Sequence, residues 1–340
     1  MNEFPKNPPL PPFGKGGLGG FLKFVANLRI FSLLSAYRAL SDKSREPKAM
    51  NIKLVAEQML NGLVLGSMYA LVASGLTLIW GTMKMLNFAH GELYMIGGYV
   101  LYFSFLLLGI HPFWGILLAM LIAFFLGLLM ERTILHPLLD KPGWDVSPIV
   151  ATLGVSIFLQ NFALKAWGER FKNVPYFIEG TLDLYGFRIA YQRILILVVA
   201  ASVMVGFWLY VKRSRFGMAL RATAQDRDAA TISGINSHRI YLLTFGISSA
   251  LAALAATMLA PLFLVNPWMG IPPQLKAFIV VVLGGLGSFG GAILGGFLLG
   301  CIESLAIVFL SSEWKDVAAF VVLISFLVFK PSGFFGTKEW

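Results

Sequence analysis

Eight apolar runs, each on the scale of the ~20 residues a helix needs to cross a hydrocarbon core, decide what this chain can become. They are Val55–Trp80, Phe88–Leu108, Phe113–Met130, Ser147–Trp167, Ile194–Val211, Tyr241–Leu264, Ala277–Phe309 and Val317–Phe329. Only 13% of the 340 residues are charged, while 57% are hydrophobic. A soluble domain carries roughly 25% charged residues, so too few remain here to clothe a water-facing surface. The sequence predicts an all-α fold, a polytopic transmembrane helical bundle. Ala277–Phe309 is too long for one simple helix. Its centre, LGGLGSFGG, holds Gly284, Gly285, Gly287, Gly290 and Gly291, enough to break a helix inside the bilayer where protein covers the freed backbone. The expected count is therefore eight or nine spans, one of them a broken or re-entrant glycine-rich element.

The charge pattern sets boundaries and orientation. Residues 1–50 carry eight Lys and Arg against three acids, half of the chain's net +10. Their NPPLPPFGKGGLGGF segment has Pro/Gly punctuation without helical period, which predicts a disordered basic extension. Ala26–Leu40 could lie on the membrane surface as a short amphipathic helix, and Met50 is a plausible alternative start. The rest, 51–340, reads as one membrane domain. Lys212, Arg213, Arg215, Arg221, Arg227 and Arg239 place the loop at 212–240 in the cytoplasm by the positive-inside rule. Loop 168–193 then faces the other side, and Arg132–Val146 returns to the cytoplasm. The first span's orientation stays open, because the Asn87 region could re-enter instead of crossing. The pI near 9.7 follows from the same positive-inside bias, so no nucleic-acid partner is inferred.

Several polar and small residues sit inside the apolar runs. Asn87, His90 and Tyr94 fall at i, i+3 and i+7 and would share one helix face. They could line a translocation path or serve as polar packing, and for Asn87 a helix N-cap is the favoured reading. Glu303, the deepest acid, could pair with Lys276 or Lys84, bond a broken helix end, or line the path. Gly62 and Gly66 put two bare positions on one helix face, and Gly287, Gly291 and Gly295 repeat at the same interval; both patterns suit close helix packing. Four His and one Cys, Cys301, without clustering exclude a ligand set of metal-site type. The sequence has no G-x-x-x-x-G-K-[ST], G-x-S-x-G or H-E-x-x-H motif, so no cofactor or catalytic residue is expected. Any ATP that drives the chain must bind another polypeptide.

NGLVLGSMYALVASGLTLIWG with NFAHGELYMIGGY, RATAQDRDAATISGINSHRIYLLTFGISSALAALA, KAFIVVVLGGLGSFGGAILGGFLLGCIES and the closing SSEWKDVAAFVVLISFLVFKPSGFFG resemble the branched-chain amino acid ABC-transporter permeases. The likeness runs over about 53–336 and is to the shorter of the two paired permeases. It implies a second related permease subunit, two cytoplasmic ATP-binding subunits, an extracytoplasmic solute-binding protein delivering Leu, Ile or Val, and a bacterial inner membrane location. It also implies that Arg221–Arg239 docks the ATPase, with Gly234 as the turn and Ala222, Ala229 and Ala230 on the docking helix. Arg221, Arg227 and Arg239 would then be rim anchors. The family often has two successive acids where this chain has Gln225 and Asp226, so Asp226 keeps one of two expected contacts. Permeases of this architecture also serve urea, short amides and other amino acids. A channel or carrier working without ATP would have no use for the 212–240 loop.

Overall fold

The computed structural model describes residues 52–139, 146–184, 187–330 and 332–335. The expectations for residues 1–50 and for Lys141 lie outside the described residues. Eleven α-helices and one β-hairpin follow in order: α1 (Ile52–Met83), α2 (His90–Tyr102), α3 (Pro112–Met130), α4 (Ser147–Trp167), β1 (Thr181–Leu184), β2 (Phe187–Ala190), α5 (Tyr191–Arg213), α6 (Arg215–Gln225), α7 (Arg227–Ile232), α8 (Ser237–Leu259), α9 (Ile271–Gly284), α10 (Phe289–Phe309) and α11 (Lys315–Phe329). α2 and α3 each continue into a short π-helical turn.

Among the described residues, six helices are long and apolar enough to cross a membrane: α1, α3 with its extension, α4, α5, α8 and α10. The chain is a multi-pass membrane protein. α2, α9 and α11 are shorter, at 13, 14 and 15 residues, so the expected eight or nine spans resolve into six full-length helices and three short ones. The all-α expectation needs one amendment. The loop after α4 folds into an antiparallel hairpin with Thr181 opposite Ala190 and Asp183 opposite Arg188.

Local chemistry places the helix starts. Ser214, Asn236 and Ser288 each accept a backbone N–H of the following first turn, from Gly217, Arg239 and Gly291, and so satisfy donors the helix itself cannot. Pro112, Pro148 and Pro272 occupy first-turn positions, where a missing N–H costs nothing.

Packing divides the helices into an inner and an outer set. α1 and α8 are the inner pair, buried over most of their lengths, whereas α4 and α5 are largely uncovered. An apolar outer surface suits lipid as solvent, and so tight inner contacts must come from van der Waals fit rather than from a hydrophobic drive. The most extensive helix–helix contact is α1 against α10. It is a glycine seam: a Cβ at Gly62 would stand 2.8 Å from the Gly300 carbonyl oxygen, and one at Gly66 2.8 Å from that of Gly296. The backbones touch because nothing projects between them.

Two chain breaks occur within the bundle. Gly285 and Gly287 take φ of +96° and +84° and separate α9 from α10, as the glycine-rich centre predicts. The helix before that break begins at Ile271, six residues earlier than the apolar run suggests. The second break is Lys84–Ala89. After α1 ends, the chain turns back along it, so that His90 bonds Val72. Val72 lies eleven residues before Met83, about 16 Å along the helix axis. α2 therefore starts alongside the middle of α1, not beyond its end.

Candidate functional site

The starts of α2 and α9 meet inside the bundle. The chain reaches α9 from the hairpin end, where Val265 pairs with Lys172, and descends to Gly270. Gly270 and Gly91 are packed backbone to backbone, so that a Cβ at Gly91 would lie 2.5 Å from the Gly270 carbonyl oxygen. Gln274 Nε2 donates to the Asn87 carbonyl at 2.9 Å. Asn87 Oδ1 accepts from the Ala89 N–H at 3.0 Å. Asn87 thus braces the turn that launches α2, although the N-cap position itself is Ala89. Two short helices with positive dipole ends converge there. Among the described residues, Asn87 Nδ2 and Gln274 Oε1 are buried with no hydrogen-bond partner. Buried polar groups are ordinarily satisfied, so these two atoms mark the junction as unusual.

His90, fully buried, ties this junction to the inner pair. Its Nε2 lies 3.1 Å from the Val72 carbonyl of α1, and its Nδ1 lies 3.4 Å from Ser248 Oγ of α8. Tyr94, one turn on, is buried too. Asn87 lies before the helix and not on it, so the helical face expected for Asn87, His90 and Tyr94 holds only for the last two. Glu92, on another face, accepts from Ser156 of α4 at 3.1 Å.

Glu303 anchors a second polar cluster. It forms an ion pair with Lys276 of α9 and accepts from the Tyr69 hydroxyl of α1 at 2.9 Å. Lys276 Nζ also reaches Asp316 Oδ1 of α11 at 2.9 Å. One lysine on a short helix therefore ties α1, α10 and α11 together. Of the options open in sequence, the partner is Lys276 and not Lys84. Lys276 and Glu303 are 8% and 2% exposed at their side chains, and Asp316 is 58% exposed, so the cluster opens outward through Asp316. Among the described residues no group of three His, Cys, Asp or Glu could hold a metal ion.

The 212–240 segment stands at the opposite end of the bundle from the hairpin. It is two helices, not one. Asp226, with φ −153° and ψ 113°, ends α6 and caps α7 by accepting from the N–H groups of Asp228 and Ala229. Its carboxylate thus has a local structural task. α7 closes with Ile235 N–H on the Ala230 carbonyl and Gly234 N–H on that of Thr231, and Gly234 takes φ +87°. This is a Schellman ending, which glycine accommodates without strain. Arg221 donates to the Val211 carbonyl at 2.7 Å, Arg227 lies over the Tyr241 ring, and Arg239 is exposed.

The structure corrects one placement and adds residues that pattern reading missed. Ala230 is buried at 4% exposure, so it packs inward and is not on an outward docking face; Ala229 is exposed and Ala222 half-buried. The outermost apolar side chain is Ile232, 88% exposed, with Met218 of α6 also exposed. Its signal was available, as an isoleucine beside the Ser-Gly turn. Gln274 and Asp316 carried no local signal, because their roles depend on helices far apart in sequence. Among the packing glycines, Gly291 meets Gly284 across the α9–α10 break, Gly295 lies 3.0 Å from the Val280 carbonyl oxygen, measured from a Cβ at that position, and Gly287 turns the break itself.

Comparison with known proteins places this arrangement. Residues 58–327 match the family model described as branched-chain amino acid transport system / permease component. The chain is 40% identical over 297 residues to the high-affinity branched-chain amino acid transport system permease protein BraD of Pseudomonas aeruginosa, covering 83% of this chain and 96% of that one. It is 37% identical, with the same coverage, to the permease protein LivH of Salmonella typhimurium. It is also 30% identical over 196 residues to the autoinducer 2 import system permease protein LsrC of Yersinia enterocolitica, about half of each chain.

Proposed function

Because the chain belongs to the family of permease components of branched-chain amino acid transport systems, we propose that it is one of two permease subunits of an ATP-driven importer of Leu, Ile or Val in the bacterial inner membrane. In this reading a second permease completes the translocation path and two ATP-binding subunits dock on the α6–α7 segment. An extracytoplasmic binding protein delivers the solute. The observation that carries the proposal is the family match over residues 58–327 together with 40% identity to BraD across 83% of the chain; Ile232, 88% exposed in a segment capped at both ends, is the residue through which docking is tested.

The mechanism is a population shift. An importer alternates between inward- and outward-open forms, and a ligand moves such an equilibrium only by its differential affinity for the two. Inverting a 1:99 ratio takes about 5.5 kcal/mol, which nucleotide-driven closure of an ATPase pair would transmit through α6 and α7. Arg221 is the mechanical link, since its guanidinium fastens α6 to the end of α5.

In this reading the second permease packs against α4. This span is the least covered of the six and exposes Asn161, whose amide nitrogen bonds the Ile157 carbonyl. An exposed amide is costly against hydrocarbon, and a partner subunit or an aqueous path relieves that cost. The junction of α2 and α9 is the internal gate in this reading. Asn87 Nδ2 and Gln274 Oε1 are the polar atoms a zwitterionic solute would engage when the two short helices part.

The test is co-purification. Affinity capture of the full chain from cells expressing the transporter genes is expected to bring down an ATPase, and Ile232→Asp is expected to release it. Retention of the ATPase by Ile232→Asp would remove the docking role from this segment.

A further inference from the structure

A cavity of about 530 Å³ between α3 and α4 is almost wholly apolar, but a larger one, about 780 Å³, is charged. It lies at the coupling end, between the end of α1, the end of α5, helix α6 and the α9–α10 break. Lys84, Lys212 and Arg221 line it and, among the described residues, no acid does. Among the described residues neither Lys84 nor Lys212 has an ion-pair partner, and Lys212 Nζ rests 4.9 Å from the Trp208 ring centre. Lys84 has φ +53° and is the only non-glycine residue with positive φ among those described, a conformation that stores strain and persists where the surroundings demand it.

The apolar part of the lining comes from Trp208, Phe289 and Leu286. Trp208 is exposed on α5, a span uncovered along most of its length. The mouth of the cavity therefore adjoins the lipid-facing side of the bundle at the depth where tryptophan favours the headgroup layer. Gly290, in the first turn of the 21-residue α10, has open space where a side chain would be, so backbone N–H groups and the positive end of α10 add to the three cations. A soluble anion would use the charges and leave the apolar wall wet.

The geometry points to a binding site for the phosphate headgroup of an acidic phospholipid, wedged between the coupling helix α6 and the α9–α10 break. This goes beyond the transport reading and does not depend on which solute is carried. A lipid seated there would touch α1, α5, α6 and α10 together and would stiffen the joint through which α6 moves the bundle.

The experiment uses the purified full chain in neutral detergent, titrated with phosphatidylglycerol, phosphatidylcholine, inorganic phosphate or leucine, with thermal unfolding as the readout. Phosphatidylglycerol is expected to raise the melting temperature saturably, and the other three are not. In Lys84→Gln/Lys212→Gln the apparent affinity for phosphatidylglycerol is expected to fall roughly thirtyfold, since each lysine at a charged interface contributes roughly fivefold. Lys84→Arg/Lys212→Arg is expected to restore it. Equal stabilisation by phosphatidylcholine, an undiminished response in the Gln pair, or saturation by free phosphate or leucine instead of lipid would each overturn the assignment. Loss of ATPase co-purification leaves this result unchanged, so the two proposals fail separately.

Discussion

Lys276 is the residue whose removal should be felt most in the bundle. Lys276→Met takes the cation from between Glu303 and Asp316 and leaves Glu303, only 2% exposed, with the Tyr69 hydroxyl as its remaining partner. Stranding one member of a buried ion pair costs about 3–5 kcal/mol. Glu303→Gln is a milder change. The amide oxygen still accepts from Tyr69, and Lys276 keeps Asp316 at 2.9 Å, so the loss is about 1–2 kcal/mol. The double variant Lys276→Met/Glu303→Met contains no stranded buried charge, and Asp316, 58% exposed, is hydrated without its partner. It should therefore be more stable than Lys276→Met alone, by about 2 kcal/mol. Equilibrium unfolding in mixed detergent micelles measures all three. A double variant no more stable than Lys276→Met, or a Glu303→Gln cost equal to that of Lys276→Met, would refute the reasoning, because the pair would then not act as a buried unit.

Four further outcomes follow from the geometry. Gly300→Val should separate α1 from α10, because its side chain would enter the backbone of Gly62 and Gly66, with a cost of about 1–3 kcal/mol or more read in the same unfolding assay. Gly154→Ala and Gly206→Ala, both helical with nothing within 4 Å of a new Cβ, should be neutral or gain about 0.5–1 kcal/mol. Asp226→Ala removes the cap of α7 and should cost about 1 kcal/mol locally; faster amide hydrogen exchange over Arg227–Ile232 is the readout, and unchanged exchange contradicts the capping role. Ala230→Arg should lower the melting temperature, since the site is buried, while Ile232→Asp leaves it unchanged and abolishes ATPase-dependent uptake.

How much of this was legible in the sequence depends on which force decided each feature. The α9–α10 break was legible because five glycines in nine residues leave no helix-stabilising side chain, and the positive φ of Gly285 and Gly287 realises it. The pairing of Glu303 with Lys276 was legible as one of a few options, since a buried acid needs a cation. The depth at which α2 and α9 begin was not. Hydropathy reports that Phe88–Leu108 and Ala277 onward suit hydrocarbon, but not where along the bundle a helix starts; Gly91 against Gly270 and Gln274 on Asn87 settle that, and both are long-range contacts. The orientation of Ala230 was lost for a different reason. Asp226 breaks the helix, so the single docking helix expected to hold Ala222, Ala229 and Ala230 is two helices, and the second turns Ala230 inward. The hairpin at Thr181–Ala190 was hidden because β pairing extends over only four residues a side, too few for their alternation to stand out.

The most direct test is leucine accumulation in proteoliposomes. Vesicles carrying this chain with its second permease, ATPase subunits and binding protein are expected to concentrate leucine when ATP is supplied. Vesicles lacking only the ATPases, or carrying Ile232→Asp, are expected to show none. Uphill accumulation by this chain without an ATPase would contradict the account.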